Sequence, residues 1–353
     1  MDYSKKSTYL FSIDALRVIS ILAVILIHTT TKTLANLDHN IIDGAFSLFL
    51  NQASRFAVPL FFLISGFVLE LNSKDLPYLT YFKKRASRVI LPFVFWSMLY
   101  FMIGWGFNVS KIFSLQFGKI LLAGAASYHL YFIPTLVIFY VAFPLLHNTL
   151  HFFRKPLVFI ALWIIQILLL SFDYYVHSLR IDPNIRIVLL VGAMFVTGII
   201  ASHIKDKIFA FTKIHFKWLT TITVATLLLV FFHVAALSII KKTTSFIYNQ
   251  HGPLTYAYTL LGALITASLL ERTQFARKYF IQLSKLSLFV FFIHVMVLDF
   301  VWNNFVRNTV ITNGNWILKQ LWFDPLFFIS VASASFGIAY FIHKIPYASK
   351  LTG

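Results

Sequence analysis

The sequence has no cysteine, which excludes a disulfide framework, a thiolate nucleophile and any Cys-ligated metal site. It is also short of charge. Only 12% of its 353 residues are Asp, Glu, Lys or Arg, against roughly 25% in soluble domains. With 59% hydrophobic residues and a mean hydropathy of +0.79, the composition does not fit a water-soluble fold. Zinc-type His spacings, a phosphate-loop glycine motif and a dinucleotide fingerprint are all missing, so no metal or nucleotide-cofactor site is expected. Acidic residues are scarce, with 12 Asp and Glu against 30 Lys and Arg. In a soluble chain such an excess would raise the question of nucleic acid. In a membrane protein it follows from basic loops that set topology and face anionic lipid, and no nucleic-acid partner is expected.

What is abundant is apolar and aromatic. Phe occurs 40 times, and Trp and Tyr add 7 and 16, supplying lipid-facing bulk and interfacial anchors. Apolar runs long enough for a helix of about 20 residues fall near 11–33, 46–71, 89–107, 130–148, 157–173, 187–204, 218–240, 254–271, 286–303 and 322–343. The expected fold is an all-α integral membrane protein of about ten transmembrane helices, with one domain spanning 1–353. Phe117–Ala126 is apolar but short, and reads as an interfacial or re-entrant helix. Lys5 and Lys6 precede the first run without a small-residue cleavage site after it, so that run is expected to be a retained span.

Basic residues in alternate loops test the orientation. With the amino terminus inside, 19 of the 30 fall in inside segments. Nine fall outside: Lys32, Lys111, Lys119, Arg180, Arg186, Lys241, Lys242, Arg307 and Lys319. Arg17 and Arg55 lie in or at the edge of spans. Both termini are therefore expected in the cytoplasm, with the chain in the plasma membrane.

An ionisable residue inside a span costs roughly 2.5–3.5 kcal/mol on insertion scales, so each needs a reason. The first run carries three: Asp14, Arg17 and His28. Asp14 and Arg17 share a helix face and can pair. Arg17 and His28 are eleven residues apart, which on a helix returns to within about 20° of the same face, about 16 Å further along. A snorkelling Arg and a hydrogen-bonded helix-end His would account for this. A cation and an imidazole lining one cavity would account for it equally, and imidazole suits proton transfer near neutral pH.

The ordered motifs decide between them. Asp14-x-x-Arg17 with His28 eleven residues on, Val58-Pro-Leu-Phe-Phe-Leu-Ile-Ser-Gly-Phe67, Lys84-Arg85-Ala-Ser-Arg88-Val-Ile-Leu-Pro92, Tyr128-His-Leu-Tyr-Phe132 and Leu286-Ser-Leu-Phe-Val-Phe-Phe-Ile-His294 together resemble the membrane acyltransferase-3 family. Tyr131 stands where Trp is usual and Phe291 where Tyr is usual. The resemblance implies a membrane-embedded O-acyltransferase that moves acyl groups, acetyl above all, from cytoplasmic acyl-CoA to hydroxyls of cell-surface or exported glycans. It implies that His28 is the general base or acyl-handling residue, that Arg17 is a key cavity residue, and that Arg85 and Arg88 hold the phosphates of CoA. Guanidinium groups in the most basic inside loop suit bidentate phosphate binding independently of the family.

Arg55 and His129 open the second and fourth spans from the outer side, at about the depth of His28, and are candidates for orienting the acceptor or stabilising the oxyanion. His294 falls near mid-membrane and is a further candidate lining residue. Asp299, five residues on, is rotated about 140° away and does not pair with it. Ser65-Gly66 reads as a close helix contact rather than a nucleophile. The competing reading is a transporter or flippase for a polysaccharide or lipid-linked intermediate, because buried His and Arg also line transport paths.

Overall fold

The computed structural model describes residues 10–37, 41–73, 76–104, 106, 112–176, 183–241 and 252–345. Lys5, Lys6, Lys74, Lys111, Arg180, Lys242 and Lys350, which enter the orientation count, lie outside the described residues. Among the described residues there is no strand, and the chain is a bundle of helices. In order these are α1 (Phe11–Asn36), α2 (Ile41–Ser54), α3 (Ala57–Ser73), α4 (Tyr78–Arg85), α5 (Leu91–Gly104), α6 (Leu115–Ala123), α7 (Phe132–Asn148), α8 (Leu150–Phe153), α9 (Pro156–Val176) and α10 (Pro183–Ile214). There follow α11 (Phe216–Lys241), α12 (Pro253–Thr273), α13 (Arg277–Ser284), α14 (Ser287–Val301), α15 (Arg307–Asn313) and α16 (Phe323–His343).

Among the described residues nine helical stretches are long and apolar enough to cross a membrane, counting α2–α3, α4–α5 and α14–α15 as one crossing each. The tenth expected span is α7, which has 17 residues and Pro144 inside it. The short apolar segment expected near 117–126 is α6, started by Ser114, whose side chain accepts from Phe117 N at 3.2 Å. It is ended by Gly124 at φ +64°. Large apolar side chains stay exposed along α9 and α11, among them Leu157, Ile165, Leu168, Trp218, Leu229 and Phe232, as a surface meant for lipid would.

Two of the breaks in long crossings have chemical causes. Pro59 has no N–H and crowds the carbonyl four residues back, and that residue is Arg55, where α2 gives way to a two-residue turn before α3. Pro92 likewise cannot donate to the carbonyl of Arg88. There the helix widens into a π-helical turn over Ala86–Ile90, with Leu91 N bonded to Ala86 O. A second π-helical turn, Trp302–Val306, separates α14 from α15.

Short connections alternate the crossings, so the bundle has a near end, where α1 begins, and a far end, where it finishes. Helix α1 runs through the middle, touching α2, α3, α12, α13, α14 and α16. The tightest helix crossing is α3 on α10. A Cβ on Gly66 would run into the carbonyl oxygen of Phe195, and one on Gly198 into that of Leu63, so only glycine lets the backbones approach this closely. Beside the crossing Phe139 stacks on Phe195 at 4.5 Å between centroids, and Phe62 packs on Phe132 at 4.8 Å.

Near the same end, Glu70 of α3 is buried, its side chain 1% exposed. His147 Nδ1 of α7 donates to it at 3.0 Å and His203 Nε2 of α10 at 2.8 Å. One carboxylate thus ties three helices, and it lies beside the bend at Ile204 in α10.

Two outcomes are expected from these contacts. Gly66→Ala should lower stability in detergent by about 1–3 kcal/mol, the usual cost of overpacking a filled interior, whereas Gly192→Ala, with open space at its Cβ position, should not. Thermal melts of the two variants compare them directly, and equal midpoints would refute the close-contact role. Glu70→Ala should cost about 1–3 kcal/mol by removing the carboxylate that both imidazoles bond, and Glu70→Gln, which keeps an acceptor oxygen, should cost less. Hydrogen exchange in α7 and α10 reads the difference.

Candidate active site

Three imidazoles from three separate segments meet toward the far end. His28 comes from α1, His294 from α14 and His129 from the turn before α7. The rings of His28 and His294 stack with centroids 5.3 Å apart and planes 29° apart. His129 meets His294 edge-on at 5.0 Å. The candidates singled out by sequence are therefore brought together by the fold, although His294 is 266 residues from His28 in the chain.

Hydrogen bonding fixes the state of one ring. His294 Nδ1 lies 2.8 Å from the carbonyl oxygen of Phe291 and 3.1 Å from that of Val290. A carbonyl only accepts, so the proton sits on Nδ1. Nε2 is left fully buried without a hydrogen-bond partner. His129 Nδ1 is 3.1 Å from Ser127 Oγ. His294 and His129 are 0% and 3% exposed, whereas His28 is half-buried. His28 is thus the ring a substrate can reach, and the other two form its wall.

Aromatic rings close the wall. Tyr128 packs edge-on to His28 at 5.0 Å and Phe291 to His129 at 5.3 Å. Tyr100 meets His129 at 5.4 Å while its hydroxyl donates to the carbonyl of Phe292 at 2.7 Å. Phe291 therefore works as packing bulk against His129, for which a hydroxyl is not needed. Arg55 is buried at 3% exposure. Its Nε and Nη2 donate to Asn51 Oδ1 at 2.9 and 2.6 Å, and Asn51 Nδ2 in turn donates to Ile27 O and Thr30 Oγ1 of α1. This chain holds the guanidinium within electrostatic reach of His28.

The near end carries the other half of the arrangement. Arg17 pairs with Asp14 at 3.3 Å, as their spacing predicted. Arg85 lies 5.8 Å over the ring of Tyr81 and 5.7 Å over that of Tyr140. The Tyr81 hydroxyl donates to the Tyr140 carbonyl at 2.9 Å. Arg17 on α1 and Arg85 at the end of α4 both lie toward the near end. Arg88 is exposed on the π-helical turn. Between the two ends, Ser20 Oγ on α1 and Trp96 Nε1 and Ser97 Oγ on α5 are buried without hydrogen-bond partners.

Several participants escaped the sequence. Lys32, counted there only as a loop charge, pairs with Asp299 at 3.1 Å, which gives Asp299 the partner that His294 could not be. Its signal was present, since Lys32 follows His28 by four residues and shares its face. Asp324, buried at 2%, accepts from Thr33 Oγ1 at 2.6 Å. Tyr100 and the Glu70 cluster carry no motif that sequence reading could use, and Tyr128 enters only as the first residue of the Tyr128–Phe132 motif. Ser65 sits on α3 beside the Gly66 crossing. Among the described residues no group of three or more His, Asp or Glu side chains has the geometry to hold a metal ion.

Searches among curated proteins and solved structures return no match. The comparison with protein families does, to the acyltransferase-3 family, described as an acyltransferase domain, over residues 10–344. A match of that extent runs from the first residue before α1 to the end of α16 and takes in both ends of the bundle. The chain belongs to the acyltransferase-3 family of membrane acyltransferases.

Proposed function

We propose that this membrane acyltransferase takes an acyl group, acetyl above all, from acyl-CoA at the near end of the bundle and transfers it to a hydroxyl of a cell-surface or exported glycan at the far end. The observation that carries the reading is the division of α1: Arg17 stands toward its start and His28, met by two further imidazoles, toward its finish, about 16 Å apart along one continuous helix. The basic residues favour a cytoplasmic near end and cytoplasmic termini, in a protein of the plasma membrane.

Arg85 and Arg17, with Arg88 at the rim, hold the phosphates of CoA by charge-assisted hydrogen bonds. The arm of the donor runs alongside α1 from the near end toward His28. The thioester then stands beside His28. His28 takes the proton of the acceptor hydroxyl as its oxygen attacks the thioester carbonyl. Arg55 opposes the charge that develops on the carbonyl oxygen. The C–S bond breaks, the new ester keeps the acyl group, and CoA leaves with the proton that His28 returns to its sulfur. His129 and His294 keep the His28 ring in place.

His28→Ala should reduce acyl transfer from radiolabelled acetyl-CoA by at least about a hundredfold, the lower range for losing a general base, with an unchanged gel-filtration profile. Full retained activity would reject the role. Arg85→Ala should raise the KM for acetyl-CoA about tenfold or more with little change in kcat, as loss of a charged ground-state contact does. The transport reading predicts instead that wild-type protein never releases free CoA, which a thiol assay on the purified protein detects.

A further inference from the structure

Directly beyond the stacked imidazoles, toward the far end, α1 and α14 place a second pair of side chains. Lys32 lies one turn past His28 and Asp299 five residues past His294, and they meet at 3.1 Å. Their side chains are 34% and 46% exposed, and Tyr128, whose ring touches His28, is 56% exposed. The floor below them, His129 and His294, is closed. The three residues therefore form an open rim beside the half-buried ring of His28.

Stability does not explain this rim. An ion pair so exposed adds little to folding, and α1 and α14 are already joined through the His28–His294 stack. Its chemistry is more telling. Asp299 accepts and Lys32 donates, side by side. Tyr128 offers an aromatic face with a polar tip, and it lies within electrostatic reach of Asp299. The ammonium is also held 5.7 Å over the ring of Trp302, at the start of a π-helical turn, an irregularity that recurs at functional sites. One carboxylate balanced by one ammonium disfavours an anionic phosphate, and neither suits a hydrocarbon tail. Neighbouring hydroxyls on one edge of a ring and C–H groups on its face match all three.

We propose that Lys32, Asp299 and Tyr128 form the acceptor subsite, a rim that binds a neutral, polyhydroxylated sugar ring and sets one of its hydroxyls over His28. The inference rests on the reading that the acceptor is a glycan and reaches His28 from the far end. Lys32 and Asp299 hydrogen-bond the hydroxyls flanking the acceptor position, and Tyr128 stacks on the ring face.

The test uses a deletion strain complemented with full-length protein, measuring base-labile acetyl released from the surface glycan at matched membrane levels. The same proteins, purified, are titrated with CoA. Asp299→Asn, Lys32→Met and Tyr128→Ala should each lower glycan acetylation about tenfold, the scale of a lost charged hydrogen bond, with CoA affinity unchanged. The exchange Lys32→Asp with Asp299→Lys restores a structural ion pair but not this site, and should stay impaired. Acetylation at wild-type level in the single variants, a parallel loss of CoA affinity, or full recovery in the exchange would each overturn the subsite alone. Wild-type protein that binds CoA but leaves no acetyl on the glycan would overturn the glycan reading beneath it.

Discussion

An ionisable group in the hydrocarbon layer must be paired or removed, and that constraint organises this bundle. Asp14 answers Arg17, Arg186 answers Asp173 with two bonds of 2.6 and 2.9 Å, and Glu70 is met by two histidines. Thr33 donates to Asp324, and Asn51 accepts from Arg55. The three clustered imidazoles are held differently, by ring contacts, a hydroxyl and backbone carbonyls. They touch one another through ring faces and edges, and His294 Nε2 has nothing to bond.

The two prolines connect this constraint to the site. Pro59 breaks the second crossing at Arg55, and the break falls where the guanidinium turns onto Asn51 rather than toward lipid. Pro92 opens the third crossing into a wider turn just after Arg85. In a regular α-helix residues three apart share a face. The wider turn carries Arg88 further round, which is why Arg85 packs on Tyr81 and Tyr140 while Arg88 faces outward. Helical irregularities therefore bear on Arg55, singled out by its depth in the span, and on Arg85 and Arg88, singled out by their motif.

The spans were legible because hydrophobic length is a local property, and all ten expected segments correspond to helices. The α1 stripe was legible because helical period alone puts Arg17 and His28 on one face. What local pattern does not carry is which helices adjoin. Periodicity could not bring His294 to His28, so that contact was approached only through the depth of His294 in its span and the ordered motifs of a family. Lys32 and Asp299 show the same limit from the other side. Asp299 was weighed only against His294 on its own helix and Lys32 was only counted as an outer-loop charge, while the partner of each lay on another helix. Glu70 was missed for a related reason: a single carboxylate inside an apolar run announces a need for partners but not where they are.

On the proposed reading, the spacing along α1 answers a problem of solvation. The phosphates of CoA carry charges too costly to bring into the bundle, while the acyl thioester and an acceptor hydroxyl are neutral. Guanidinium groups at the start of α1 allow the charged end of the donor to stay at the near surface, and only the uncharged arm needs to traverse the layer. The reacting groups then meet where three imidazoles line the wall. A His–Arg arrangement without that separation would demand either buried phosphates or a free acyl intermediate crossing the bilayer, and the continuous helix removes the need for both.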